Sequence, residues 1–288
     1  MDPTPSTRVE RRRLRGELRK ARQEAGLTQE QVAQHMDWSL SKIIRIETGS
    51  VGVSTNDLNA LLRLYEIGDV DYVRRLIDLA KATRQQSPWS KYRDSIPPAF
   101  FQFLEYEAAA FVVREYESFL IPGLLQTEQY AATVISEYKG NYSPRTIEAR
   151  VEIRMARQQL LEQPNPPYLH FILDEGVVQR LVGDRDVRAE QLQKLVDMAH
   201  RPRVTIEIVP FSAGLHRSLG ETFSILEFQD TADDDVLYFE NARDALLTHN
   251  EADEISLYRE IFENLRSISL GPSKSLAYLI RVAAEETP

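Results

Sequence analysis

Between Thr28 and Thr48 the chain fits two short capped helices separated by a break at Met36–Trp38, and few folds accept that arrangement. Thr28-Gln29-Glu30-Gln31 has the form of a capping box: the threonine side chain takes the N–H of Gln31 and the glutamine side chain reaches back. The helix it opens runs to about His35. Ser39 then caps a further helix that ends at Thr48-Gly49. Upstream, a helical pattern from about Val9 to Ala25 stops at Gly26, a residue that accepts the left-handed backbone of a helix end. Downstream, Ser54-Thr55-Asn56-Asp57 opens a fourth helix running to Tyr65, and a fifth covers about Val70–Ala82. Five helices with a tight turn between the second and third follow the helix-turn-helix plan.

The third helix divides into two faces. Ile43 and Ile46 are three apart and can pack with Leu27, Val32 and Leu58, while Ser41, Lys42 and Arg45 form a polar stripe. A recognition helix needs that division, one side held by the protein body and one side short and polar for the major groove. Arg45 can give two hydrogen bonds to guanine O6 and N7, and Lys42 can reach a base or a phosphate. Gln29 opens helix two facing a phosphate. Ser39, Leu40, Thr48 and Arg13 complete the expected contact set, and Arg8, Arg11, Arg12 and Arg15 add charge for the DNA backbone. Glu47 is expected to pair structurally with Arg19 and Arg22. A charged, solvated helix bundle is the plainer alternative; the caps, the short break and the stripe at matching offsets weigh against it.

Leu18-Arg19-Lys20-Ala21-Arg22-Gln23-Glu24-Ala25-Gly26-Leu27-Thr28-Gln29-Glu30-Gln31-Val32-Ala33, followed by Ser39-Leu40-Ser41-Lys42-Ile43-Ile44-Arg45-Ile46-Glu47-Thr48-Gly49, resembles the lambda-repressor-like, XRE-type helix-turn-helix family over about residues 9–80. The resemblance implies a regulator that reads a double-stranded operator. Leu40 departs from the polar residue that many relatives carry, and contact with a thymine methyl is the role weighed for it.

Charge distribution agrees. The net charge of the 288 residues is −9, yet residues 1–86 carry 15 Lys/Arg against 12 Asp/Glu, leaving 20 against 32 for the remainder. The chain has no cysteine, which excludes disulfides, thiolate metal centres and thiol nucleophiles and fits a reducing cytoplasm. The longest apolar runs, such as Ala108–Val113, fall far short of a membrane span, and the arginine-rich start lacks the apolar stretch of a signal peptide. At this length two domains are expected: a helix-turn-helix domain over 8–82, a linker over 83–98 where prolines and polar residues gather, and an α+β domain over 99–288.

In that second domain helices are expected at Phe100–Glu117, Thr127–Tyr138, Pro144–Glu162, Val187–His200, Ala252–Ser267 and Ser273–Ala284. Strands are expected at Tyr168–Leu173, Arg203–Val209, Thr222–Phe228 and Val236–Glu240. Pro122-Gly123 marks a turn whose apolar neighbours Tyr116, Phe119, Ile121, Leu124, Leu125 and Tyr130 read as a core corner ahead of a ligand pocket. Arg150, Arg154 and Arg157 read as a solvated helix face, and Asp230–Asp235 as a solvated connection, since it fails the calcium-loop pattern. Asp174-Glu175 suits a helix start better than a catalytic pair.

The long loop Ser212–Gly220 is expected to serve a partner or effector through His216, Arg217 and Ser218. It lacks the first glycine and the strand–turn–helix setting of a nucleophile elbow. The five histidines show no metal-binding spacing, and no phosphate loop is present. No catalysis, cofactor or metal is therefore expected; a hydrolase addressed to DNA is the remote alternative.

Glu105 and Ala108, Ile121-Pro122-Gly123-Leu124-Leu125-Gln126-Thr127-Glu128-Gln129-Tyr130-Ala131, Arg154 with Arg157-Gln158, Glu175, Gln191-Leu192, Val209-Pro210, Gly214 with His216, and Gly220 with Phe223 resemble the C-terminal domain of actinobacterial WhiJ-like, Scr-type, antitoxin-like regulators. That resemblance implies a small partner protein encoded by a neighbouring gene, and control of development or specialised metabolism. An antitoxin-like adaptor that neutralises its partner and regulates itself is the alternative. A homodimer is expected, because one helix-turn-helix offers few contacts and two would read half-sites about 34 Å apart.

Overall fold

A computed structural model divides the chain into two compact units, residues 4–90 and 91–288. It describes residues 7–48, 51–83, 89–93, 95–138, 142–180, 182–229, 235–240, 245–249 and 252–286.

The first unit is all helical: α1 (Thr7–Glu24), α2 (Gln29–His35), α3 (Leu40–Glu47), α4 (Thr55–Leu64) and α5 (Val70–Ala82). Side-chain oxygens start four of them. Thr28 accepts from Gln31 N–H in a complete capping box, and Ser39, Ser54 and Asp69 cap α3, α4 and α5. Three helices end in the same way. At the ends of α1, α2 and α4 the chain turns through a left-handed residue, Gly26, Asp37 and Glu66. The N–H three residues beyond each helix then bonds back across the last turn, Leu27 to Arg22, Trp38 to Ala33 and Ile67 to Leu62. Leu14, Leu18, Val32, Ile43, Ile46, Leu58, Leu61 and Leu76 fill the core between the helices.

The second unit is α+β. In chain order it contains α6 (Pro98–Glu107), β1 (Val112–Glu117), α7 (Glu128–Tyr138), α8 (Pro144–Arg157), β2 (Tyr168–Asp174), α9 (Glu175–Gln179), α10 (Arg185–Ala199), β3 (Val204–Val209), β4 (Phe223–Glu227), β5 (Val236–Glu240), β6 (Ala245–His249), α11 (Ala252–Ile268) and α12 (Pro272–Glu286). The strands form one sheet in the order β3-β2-β1-β4-β5-β6. β1, β2 and β3 run parallel through helical crossovers, and β4, β5 and β6 continue as an antiparallel meander. β1 is therefore the strand at which the sheet changes direction, and the carboxyl ends of the parallel strands share an edge with the start of β4. α11 covers one face with Ile255, Ile261, Phe262 and Leu265 against Tyr116, Ile172, Val209, Phe223 and Ile225.

Three sequence expectations are corrected. Phe100–Glu117 is not one helix: α6 ends at Glu107, and Val112–Glu117 is β1, in the middle of the sheet. The β-branched pair Val112-Val113 and the alternate burial that follows suit a strand with neighbours on both sides. Arg154 and Arg157 do not lie on a solvated face. Arg157 is 5% exposed and grips Glu107, itself 2% exposed, through two hydrogen bonds of 2.9 and 2.7 Å, while Arg154 donates to Gln126 Oε1 at 2.8 Å. Asp235 is not solvated either. It is buried, accepts from Phe228 N–H and pairs with Arg259; residues 230–234 of the acidic run lie outside the described residues. β6, unassigned in the sequence reading, is a short edge strand.

Candidate nucleic-acid interface

α3 is held to its unit by two isoleucines, Ile43 at 1% and Ile46 at 5% exposure. With about 100° between successive residues, those positions fix which way every other side chain points. Leu40, Ser41, Ile44, Arg45 and Thr48 are all exposed, and they follow one another round the arc opposite the isoleucines as Leu40, Ile44, Thr48, Ser41, Arg45. Ser39 precedes them, its oxygen engaged with Lys42 N–H. The Arg45 side chain folds back so that Nε donates to Ser41 C=O at 3.3 Å, an exposed contact it can surrender to a better acceptor.

Lys42 does not join this edge. Its Nζ lies 3.4 Å from the centroid of the Trp38 ring and 3.3 Å from Asp57 Oδ2, so both the turn before α3 and the start of α4 hold it to the side. The cation–π contact and the ion pair each favour that position. Gln29 Nε2 donates to Glu47 Oε2 at 2.8 Å.

Glu47 is the hub beneath the interface. Arg22 donates to it twice, at 2.7 and 3.1 Å, and also to Leu27 C=O at 2.8 Å. This fork ties α1, the α1–α2 turn and α3 together, and the hydrogen bond to Glu47 raises the Arg22 pKa above its ordinary value. Burial, then the Glu47 charge, pushes the Tyr65 hydroxyl up to about 12. Arg19, expected to share this role, is exposed on α1 instead.

The arginines before and within α1 are not a uniform phosphate-facing set. Arg12 is buried, Arg11 donates to Thr83 C=O at 3.3 Å and Arg15 to Thr48 C=O at 3.0 Å. Arg13 is half-buried; the side chain of Arg8 lies outside the described residues. Helical phase does not separate them: Arg12 lies on the other side of α1 from the buried Leu14 and Leu18.

In the second unit the loop between β3 and β4 presents two kinds of side chain. Phe211, Leu215 and Leu219 are 62%, 89% and 56% exposed. His216 and Ser218 instead turn in. The imidazole is 9% exposed, with Nε2 4.0 Å from Asp174 Oδ2 and its ring 6.1 Å from that of Tyr116, edge to face. Ser218 is 1% exposed. His216 Nδ1, Ser218 Oγ and Tyr116 Oη are buried with no hydrogen-bond partner among the described residues. Burial, with Asp174, Glu117 and Glu221 around it, drives the Tyr116 hydroxyl pKa well above its usual range. Asp174 caps α9 through Gly176 N–H, and Glu175 accepts from Phe211 N–H and the Tyr278 hydroxyl. Arg217 lies between the inward pair. These groups gather where β1 and β2 end and β4 begins.

Among the described residues no helix is long and apolar enough to cross a membrane. A family model described as a domain of unknown function (DUF5753) matches residues 100–281, and a model described as a helix-turn-helix domain matches residues 13–76. No curated protein and no solved structure matches the chain. The helix-turn-helix domain marks a DNA-binding regulator. The longer match spans more than half of the 288 residues, and the chain belongs to that family.

Proposed function

We propose that this DUF5753-family member is a sequence-specific transcription regulator of the lambda-repressor-like type, which reads a double-stranded operator with α3 and uses its C-terminal domain to bind a small partner protein or effector. The observation that carries the first half is the outward arc of α3, where Ser41, Arg45 and Thr48 are exposed on the side opposite the core that Ile43 and Ile46 anchor. Arg45 is the residue of that arc suited to bidentate contact with guanine. Arg45→Ala is expected to lower affinity for a selected duplex by about ten- to a hundredfold, with relaxed preference at one base pair. Fluorescence anisotropy over a salt series measures it; unchanged affinity and preference would overturn the assignment. A dimer would read half-sites about 34 Å apart, and the stoichiometry of the protein–DNA complex tests that.

Two observations support the second half. The exposed Phe211, Leu215 and Leu219 suit a protein partner, and the unpartnered Tyr116, His216 and Ser218 beside Asp174 suit a small polar effector. We read this domain as binding rather than catalytic, since Ser218 stands in a loop between two strands and not on the strand–turn–helix of a nucleophile elbow. The resemblance of this domain to WhiJ-like regulators supports control of development or specialised metabolism, with a partner encoded nearby. If Tyr116 is kept for a ligand rather than for the fold, Tyr116→Phe leaves stability unchanged or raises it by up to about 1 kcal/mol, because a buried hydroxyl without a partner is removed. Thermal unfolding decides it: a loss of stability would make the hydroxyl structural.

A further inference from the structure

We infer that Leu40 and Ile44 read thymine methyl groups, so that the operator half-site carries thymines beside the base pair read by Arg45. This rests on α3 being the recognition helix. Leu40 is 37% and Ile44 39% exposed, whereas the other two large apolar side chains of the helix are 1% and 5% exposed. They are four apart and so lie one above the other on the outer arc, with Ser41, Thr48 and Arg45 along the same arc.

Nothing in the core accounts for them. Ile44 lies near the middle of the surface that would enter the groove, where its β-branch holds its methyl groups in few orientations. On the floor of the major groove the apolar group offered to a protein is the thymine C5-methyl. Two side chains bounded by a serine, a threonine and an arginine form too narrow a patch for a stable protein interface, but they match methyls on neighbouring base pairs. With Lys42 drawn aside to Trp38 and Asp57, the edge reads with one long cation, Arg45, and two apolar side chains.

The test uses the full chain. A duplex is selected from a random pool, and each thymine in the selected half-site is replaced in turn by deoxyuridine, which removes only the methyl. One or two replacements are expected to weaken binding about fourfold each, the effect of withdrawing one buried methyl from an apolar contact. Ile44→Ala and Leu40→Ala should each abolish the thymine–uridine difference at one position while leaving the circular dichroism and the salt dependence unchanged, since both side chains are exposed. Native protein that binds the uridine duplexes as tightly as the thymine duplex overturns the inference and leaves the recognition-helix reading standing. A changed oligomeric mass in the alanine variants, with no uridine effect, assigns the pair to contact with a second copy and also overturns it. If no duplex is selected, the recognition-helix reading falls, and this inference with it.

Discussion

Arg157→Met is expected to destabilise the C-terminal unit by about 3–5 kcal/mol, the cost of leaving one member of a buried ion pair uncompensated. Glu107 would remain 2% exposed with no guanidinium to accept from. The pair is bidentate, with hydrogen bonds of 2.9 and 2.7 Å, so lysine cannot replace it: a single ammonium lacks the planar fork. The guanidinium also lies 5.5 and 5.3 Å from the centroids of the Phe100 and Phe103 rings. Gly123 is part of the same device. A Cβ there would sit 2.8 Å from Arg157 Nη1, so Gly123→Ala should displace the guanidinium and reproduce a fraction of the loss. The double replacement Glu107→Leu with Arg157→Met should recover most of it, because an apolar pair of similar volume avoids the desolvation of two charges. Denaturant unfolding followed by circular dichroism measures all four proteins. A loss below about 1 kcal/mol for Arg157→Met would show that water reaches the pair.

This pair also shows where sequence reasoning stops. Helical spacing places Arg150, Arg154 and Arg157 near one another, but says nothing about Glu107, fifty residues away, or about the glycine that leaves room for the guanidinium. The Pro122-Gly123 turn was legible; its reason was not. The helix-turn-helix unit was legible because its determinants are local: caps at Thr28, Ser39 and Ser54 sit within three residues of the N–H they accept. Its helix ends were only partly so. Gly26 announces a left-handed residue, whereas Asp37, one of the side chains that visit that region more often, signals it weakly and Glu66 not at all.

The contacts of Lys42 were not legible for a related reason. The phase of α3 is local, but the ring that captures Lys42 comes from the preceding turn and the carboxylate from the next helix. Phe100–Glu117 was misread because Ala108–Val113 runs from the end of α6 into β1 with no proline, glycine or polar residue to mark the change. Only the pairing of Val112–Glu117 with β2 and β4 decides for a strand. In the β3–β4 loop, length pointed to binding, and the structure adds that His216 and Ser218 turn inward while the apolar residues around them turn out.

Acidification from pH 7 to pH 5 is expected to cost about 2 kcal/mol of stability through His170 alone. The ring sits on β2 under α11, edge to face with Phe262 at 5.0 Å. Burial first, then the positive charges of Arg114 and Arg266, lowers its pKa from 6.5 to about 4. Glu207 opposes them from 3.7 Å, but its carboxylate is already shared with the Ser269 hydroxyl and Arg266, so burial and the two arginines prevail. A histidine whose folded pKa is depressed stabilises the fold in its neutral form. The contribution is whole above the unfolded pKa near 6.5, declines as the unfolded chain takes up a proton that the folded chain refuses, and is exhausted as pH falls through about 4. Over the full window it amounts to roughly 3 kcal/mol. Carboxylates titrate mostly below pH 5, so histidines govern the interval from pH 7 to 5, and a single replacement assigns the share of this ring. His170→Gln, which cannot protonate, should flatten the decline across that interval and leave the steeper loss below pH 5 in place. Equal slopes for the two proteins between pH 7 and 5 would show that the ring meets water when it protonates, and that Glu207 rather than the arginines sets its charge.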